Sequence, residues 1–88
     1  MSFTVVWTTP AITAYRALRE HDRMGAAILR DATRALADDP RPPGGRRLGT
    51  TGFYRLRVGA YRILYRMDEA GSSIIVENVG RVPNGQAE

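Results

Sequence analysis

The chain predicts an α+β domain: an N-terminal strand, an antiparallel helix hairpin, then a meander of three to four antiparallel strands. Three observations predict it. The opening run alternates with a period of two, the next two stretches repeat apolar residues at helical spacing, and the last third holds successive β-rich runs parted by glycine and polar turns. Strands grouped after helices argue for helices covering one face of an antiparallel sheet. With 88 residues there is room for one modest core and no separate cofactor domain. The domain is expected over residues 1–81, with residues 82–88 as a flexible tail containing Pro83, Asn84 and Gly85.

Ser2 to Trp7 is rich in β-branched and aromatic residues and reads as the first strand. Thr9 is placed as the N-cap of the first helix, with Pro10 at the first helical position. Ile12, Tyr15 and Leu18, with Ala11 and Ala14, form its apolar stripe. His21-Asp22 is a break, and Asp22 can cap a second helix whose buried face is read as Met24, Ile28, Ala32, Ala35 and Leu36. Asp38-Asp39-Pro40 stops that helix, and Pro40 to Arg47 reads as a basic Pro/Gly-rich loop. Strands are expected at Phe53–Val58, Tyr61–Met67 and Ser73–Val79, the first two joined by a Gly59-Ala60 turn with glycine first.

The formal charge is +4 and the sequence pI about 10.3; all 13 basic residues are arginine. A GC-rich genome would explain the missing lysine, but the physical consequence holds regardless of cause. Guanidinium groups bind phosphate bidentately and stack on bases, so a basic surface implies an anionic partner. There is no cysteine, which excludes disulfides and thiolate metal sites. No plausible metal cluster, cofactor motif, signal peptide or membrane-spanning run is read, and a cytoplasmic location is expected.

The most informative segment runs from Tyr54 to Arg66. If Gly59-Ala60 is the whole loop, Val58 pairs with Tyr61, Arg57 with Arg62 and Tyr54 with Tyr65. Alternation then puts Tyr54, Leu56, Val58, Tyr61, Ile63 and Tyr65 on one face, suited to lie against the helices. The other face carries Arg55, Arg57, Arg62 and Arg66, with Phe53 and Leu64. Opposed like charges destabilise a strand pair, and neither predicted strand contains an acidic residue. Converging arginines of this kind suit a polyanion. Glu77 could act as a base only if the third strand turns it toward them, and is otherwise an ion-pair partner. His21 suits a surface or capping role.

Around this hairpin the chain resembles the RelE/ParE superfamily of bacterial type II toxin–antitoxin toxins. The resemblance rests on Val6-Trp7-Thr8-Thr9-Pro10-Ala11, on Pro40, Gly45 and Arg46-Arg47-Leu48, on the stretch from Gly52 to Tyr65, and on Val79-Gly80-Arg81. It implies a RelE-like, microbial-RNase-type fold and a toxin that cuts messenger RNA on the ribosome without metal or cofactor. It further implies catalytic roles for Arg55, Arg57, Arg62 and Arg81, and phosphate contacts for Arg46, Arg47 and Arg66. An acidic antitoxin is the implied protein partner, giving a toxin–antitoxin hetero-oligomer. One departure stands out: active relatives follow Val-Gly with a basic pair and then a Tyr or His, whereas here Arg81 is followed by neither. A ParE-like toxin that inhibits DNA gyrase, or a catalytically weakened homologue, is therefore the alternative.

Overall fold

A computed structural model describes residues 2–68 and 70–82. The elements are β1 (Thr4–Trp7), α1 (Thr9–His21), α2 (Arg23–Ala35), β2 (Gly45–Arg47), β3 (Phe53–Val58), β4 (Tyr61–Asp68) and β5 (Ser73–Arg81). The strands form one sheet in the order β1-β5-β4-β3-β2. β2 to β5 are an antiparallel meander, while β1 lies parallel to β5 at the edge. Parallel pairing needs a long connection; here it contains the helix pair and the rest of the sheet.

The helices cover one face. Ala11, Leu29 and Leu36 pack against Leu56, Ile63, Tyr65, Ile74, Val76 and Val79. Ile63 and Leu29 are fully buried, and truncating either to alanine would cost about 2–5 kcal/mol. The Tyr65 hydroxyl, inside this core, donates to the Pro40 carbonyl at 2.6 Å, which satisfies its one polar atom.

Several local expectations need correction. The N-cap of α1 is Thr8 rather than Thr9: its hydroxyl accepts from the Ala11 N–H at 3.2 Å. Thr8 is extended because its own N–H still bonds β5, at the Val76 carbonyl. On α2 the buried residues are Gly25, Ala26, Leu29 and Thr33, followed by Leu36, whereas Met24, Ile28 and Ala35 are exposed. Small residues sit where this helix comes nearest the sheet, and the Thr33 hydroxyl is satisfied by the Arg30 carbonyl at 2.8 Å. A stripe judged by large apolar side chains alone therefore lands one residue out of phase.

The segment read as a basic loop contains β2, an edge strand on β3. β1 is shorter than expected and β5 runs on to Arg81. β4 extends to Asp68, so the hairpin strands do hold an acidic residue, at the end away from the turn. Val82, assigned to the tail, is buried and donates its N–H to the Ala60 carbonyl at 2.7 Å. The remainder of the expected tail, residues 83–88, lies outside the described residues.

Candidate functional site

The β3–β4 hairpin has the register its two-residue turn demands: Val58 opposes Tyr61, Arg57 opposes Arg62, Arg55 opposes Leu64 and Phe53 opposes Arg66. Gly59 takes φ +60° at the turn, a conformation that glycine adopts without strain. Leu56, Ile63 and Tyr65 are consequently buried under the helices. Arg55, Arg57, Arg62 and Arg66 share the uncovered face. β2 adds to it, because Arg46 opposes Arg55. The face thus carries two cross-strand arginine pairs, and the second could not be read without knowing that β2 exists. Arg47 opposes Tyr54 and so falls on the other side of the strand from Arg46.

β5 completes the surface through an irregularity. Leu64 pairs with Asn78 and Tyr65 with Val76, leaving Glu77 as an extra residue. Glu77 turns onto the arginine face and accepts from the Arg66 Nε at 2.6 Å. Asn78 faces the same way and lines a hollow of about 250 Å³ with Leu48, Arg55, Arg62, Leu64 and Val79. A neighbouring hollow of about 340 Å³ is lined by Gly44, Gly45, Arg46, Arg55 and Arg57, so Arg55 borders both. Gly80 opposes Arg62, and a Cβ there would meet nothing within 4 Å. The space beside Arg62 is open.

The same bulge removes Arg81 from this face. With one residue inserted, Arg81 opposes Tyr61 on the helix side. Its Nη1 lies 3.9 Å from Asp22 Oδ2, and the Tyr61 hydroxyl donates to that same oxygen at 2.5 Å. Asp22 also caps α2 by accepting from the Gly25 N–H at 2.9 Å. The Tyr61 bond, then the Gly25 N–H and the Arg81 charge, hold the Asp22 carboxyl below its usual range. The same bond raises Tyr61. Arg81 thus lies exposed beside the Asp22–Tyr61 contact that joins the helix turn to the hairpin. Of the residues singled out from sequence, Arg46, Arg55, Arg57, Arg62 and Arg66 come together, while Arg47 and Arg81 do not join them.

A second basic concavity lies on the other side of the molecule. Val5, Trp7, Ile12, Tyr15 and Thr33 line a groove of about 590 Å³ with Arg16, Arg19, Arg30 and Arg34. Trp7 and Tyr15 meet edge to face there, with ring centroids 5.4 Å apart. Among the described residues no group of three His, Asp or Glu side chains is placed to hold a metal ion, and no helix is long and apolar enough to cross a membrane.

Solved structures share this architecture. The chain is similar to the RelBE2 toxin–antitoxin complex of Mycobacterium tuberculosis, at 29% identity and a TM-score of 0.76 over 92% of each chain. It is similar to the isolated E. coli RelE toxin at 15% identity and a TM-score of 0.79, over 97% of this chain and 89% of that one. The chromosomal ParDE system of P. aeruginosa matches at 16% identity and a TM-score of 0.77, over 93% and 98% of the two chains. No curated protein sequence is significantly similar. The family model of the ParE toxin of the type II toxin–antitoxin system parDE matches residues 5–82. The model spans nearly the whole described chain, and the protein belongs to that toxin family, within the RelE/ParE superfamily.

Proposed function

We propose that this toxin cleaves messenger RNA on the ribosome, at the arginine face of the β3–β4 hairpin, as a metal-independent endoribonuclease. The observation that carries the reading is the pair of opposed arginines, Arg57 with Arg62 and Arg46 with Arg55, gathered on one uncovered face. In the reaction the ribose 2′-oxygen bonds to the adjacent phosphorus and the P–O5′ bond breaks, leaving a 2′,3′-cyclic phosphate and a 5′-hydroxyl. Negative charge builds on the phosphate oxygens along the way. Fixed guanidinium groups aimed at that charge stabilise the transition state. Arginine does not give up its proton at physiological pH. Arg55, Arg57 and Arg62 therefore carry charge, and the proton leaving the 2′-hydroxyl and the one arriving at O5′ are exchanged with water. Arg46 and Arg66 flank them as phosphate contacts. Arg81 has no part in this mechanism, because its side chain lies on the helix side with Asp22.

An antitoxin with an acidic, partly helical segment is the proposed protein partner, in a toxin–antitoxin hetero-oligomer. Related structures are described as toxin–antitoxin complexes, including archaeal RelE–RelB and E. coli RelBE. The arginine-rimmed aromatic groove beside α1 and α2 suits such a segment by charge and shape. Messenger RNA and ribosomes place the activity in the cytoplasm.

Two observations favour the gyrase-inhibitor reading: the matching family model is that of a ParE toxin, and Arg81 is turned away from the arginine face. Controlled expression separates the two readings. The nuclease reading expects translation to stop and transcripts to fragment while plasmid supercoiling is unchanged. Loss of supercoiling with intact transcripts would establish the alternative, and no effect on either would mark a weakened homologue.

A further inference from the structure

We infer that the hollow beside Arg62 is a nucleobase pocket that selects guanine. The inference rests on reading the arginine face as an RNA site and adds which base it holds. The two hollows on that face differ in kind while sharing Arg55. One is lined only by glycine and arginine, which suits a phosphate. The other has Leu48 and Leu64 as apolar surface, with Arg55, Arg62 and Asn78 as its polar side chains. At about 250 Å³ it is smaller than the pockets that hold drug-sized ligands, and suits a single base turned out of a strand. Sequence-specific RNA recognition works on such unstacked bases, through their stacking surfaces and hydrogen-bonding edges.

The polarity of the pocket names the base. Guanidinium groups only donate hydrogen bonds. Asn78 would ordinarily offer both a donor and an acceptor, but its Oδ1 already accepts from the Val79 N–H at 2.9 Å. With that bond made, its NH2 is the stronger remaining offer to a ligand in the hollow. A site made of donors favours an edge made of acceptors. Guanine presents O6 and N7 together, whereas adenine sets its amino group beside N7. Glu77, the carboxylate next in sequence, is occupied by Arg66. The bulge is what brings Asn78 here, because unbroken alternation would have pointed it into the core.

The test uses short uridine RNAs with 2′-fluoro sugars, which cannot be cleaved, carrying one central guanine, hypoxanthine, adenine or 7-deazaguanine. Binding to the intact protein is followed by fluorescence anisotropy. Guanine and hypoxanthine, which share O6 and N7, are expected to bind on the order of tenfold more tightly than adenine, with 7-deazaguanine falling toward adenine. Asn78→Asp keeps an acceptor for the Val79 N–H but replaces the donor, so it should shift preference to adenine. Arg62→Ala, which removes one of the pocket's donors as well as a phosphate contact, should weaken all four RNAs and narrow the preference for guanine. Equal binding of guanine and adenine by the wild type, or an unchanged preference in Asn78→Asp, would overturn the base pocket while leaving the phosphate site standing. No binding of any of the four would overturn the base pocket, while cleavage of message on the ribosome, measured separately, decides the RNA reading.

Discussion

Arg57 and Arg62 are direct partners across the β3–β4 hairpin, and the Arg57 Nε folds back to the Gly59 carbonyl at 3.0 Å. Opposed like charges work against strand pairing, so this arrangement is not one that stability alone would select. Arg62→Ala is therefore expected to lower the rate of RNA cleavage on the order of a hundredfold or more. Arg55→Ala and Arg57→Ala should follow closely. The melting temperature should stay level or rise slightly, since repulsion is relieved. Toxicity that survives in a folded Arg62→Ala protein would remove the arginine face from the mechanism.

Gly80 offers a way to block the site without touching a charge. A Cβ at this position meets nothing within 4 Å, and glycine inside a strand costs roughly 0.5–1 kcal/mol in chain entropy. Gly80→Val should melt at the same temperature or higher, yet lose activity as the branched side chain fills the space beside Arg62. Full activity in this variant would mean that the substrate does not approach there.

Gly25 has the opposite character. A Cβ here would overlap the Asp22 carboxylate and the Tyr61 ring. Alanine in place of a helical glycine ordinarily gains about 1 kcal/mol. In this helix Gly25→Ala should instead lose on the order of 1–3 kcal/mol, as overpacking does. Met24→Ala, one position earlier and exposed, should stay within about 0.5 kcal/mol of wild type. Urea denaturation of both variants checks the contrast.

Alkaline pH should weaken the fold through Tyr65. Burial, with smaller contributions from Tyr54 and Asp39, pushes its hydroxyl from 10.0 up to about 12. An unfolded tyrosine would ionise near 10, while the folded one holds its proton. The stability this difference confers is fully present below pH 10 and is lost as pH rises toward 12. Tyr65→Phe, measured by denaturation across this window, should flatten that part of the decline. An unchanged slope would contradict the assignment to Tyr65.

The hairpin was legible because a two-residue turn with glycine first permits one register, and alternation then sorts tyrosines from arginines. β2 was not, because Gly45-Arg46-Arg47 has no apolar alternation and its strand character comes from pairing with β3. The side of the sheet that Arg81 takes was hidden for a related reason. The buried apolar residues of β5 are Ile74, Val76 and Val79, a spacing of two and then three that only a bulge accommodates. Counting past Glu77 without it would leave Arg81 on the arginine face and Val79 exposed. The break in period was visible in the sequence, as was polar Asn78 where alternation called for an apolar residue. The Asp22–Tyr61 bond joins residues 39 apart, and no local pattern announces such a contact.

The most direct test of the arginine face as an RNA-cleaving site is to incubate purified toxin with ribosomes programmed by a defined message and map the 5′ ends of the products. Discrete cuts by the wild type are expected, lost in Arg62→Ala while the Arg81→Ala protein, if folded, still cuts. An intact message in the presence of folded wild-type toxin, or cutting by Arg62→Ala at the wild-type rate, would contradict it.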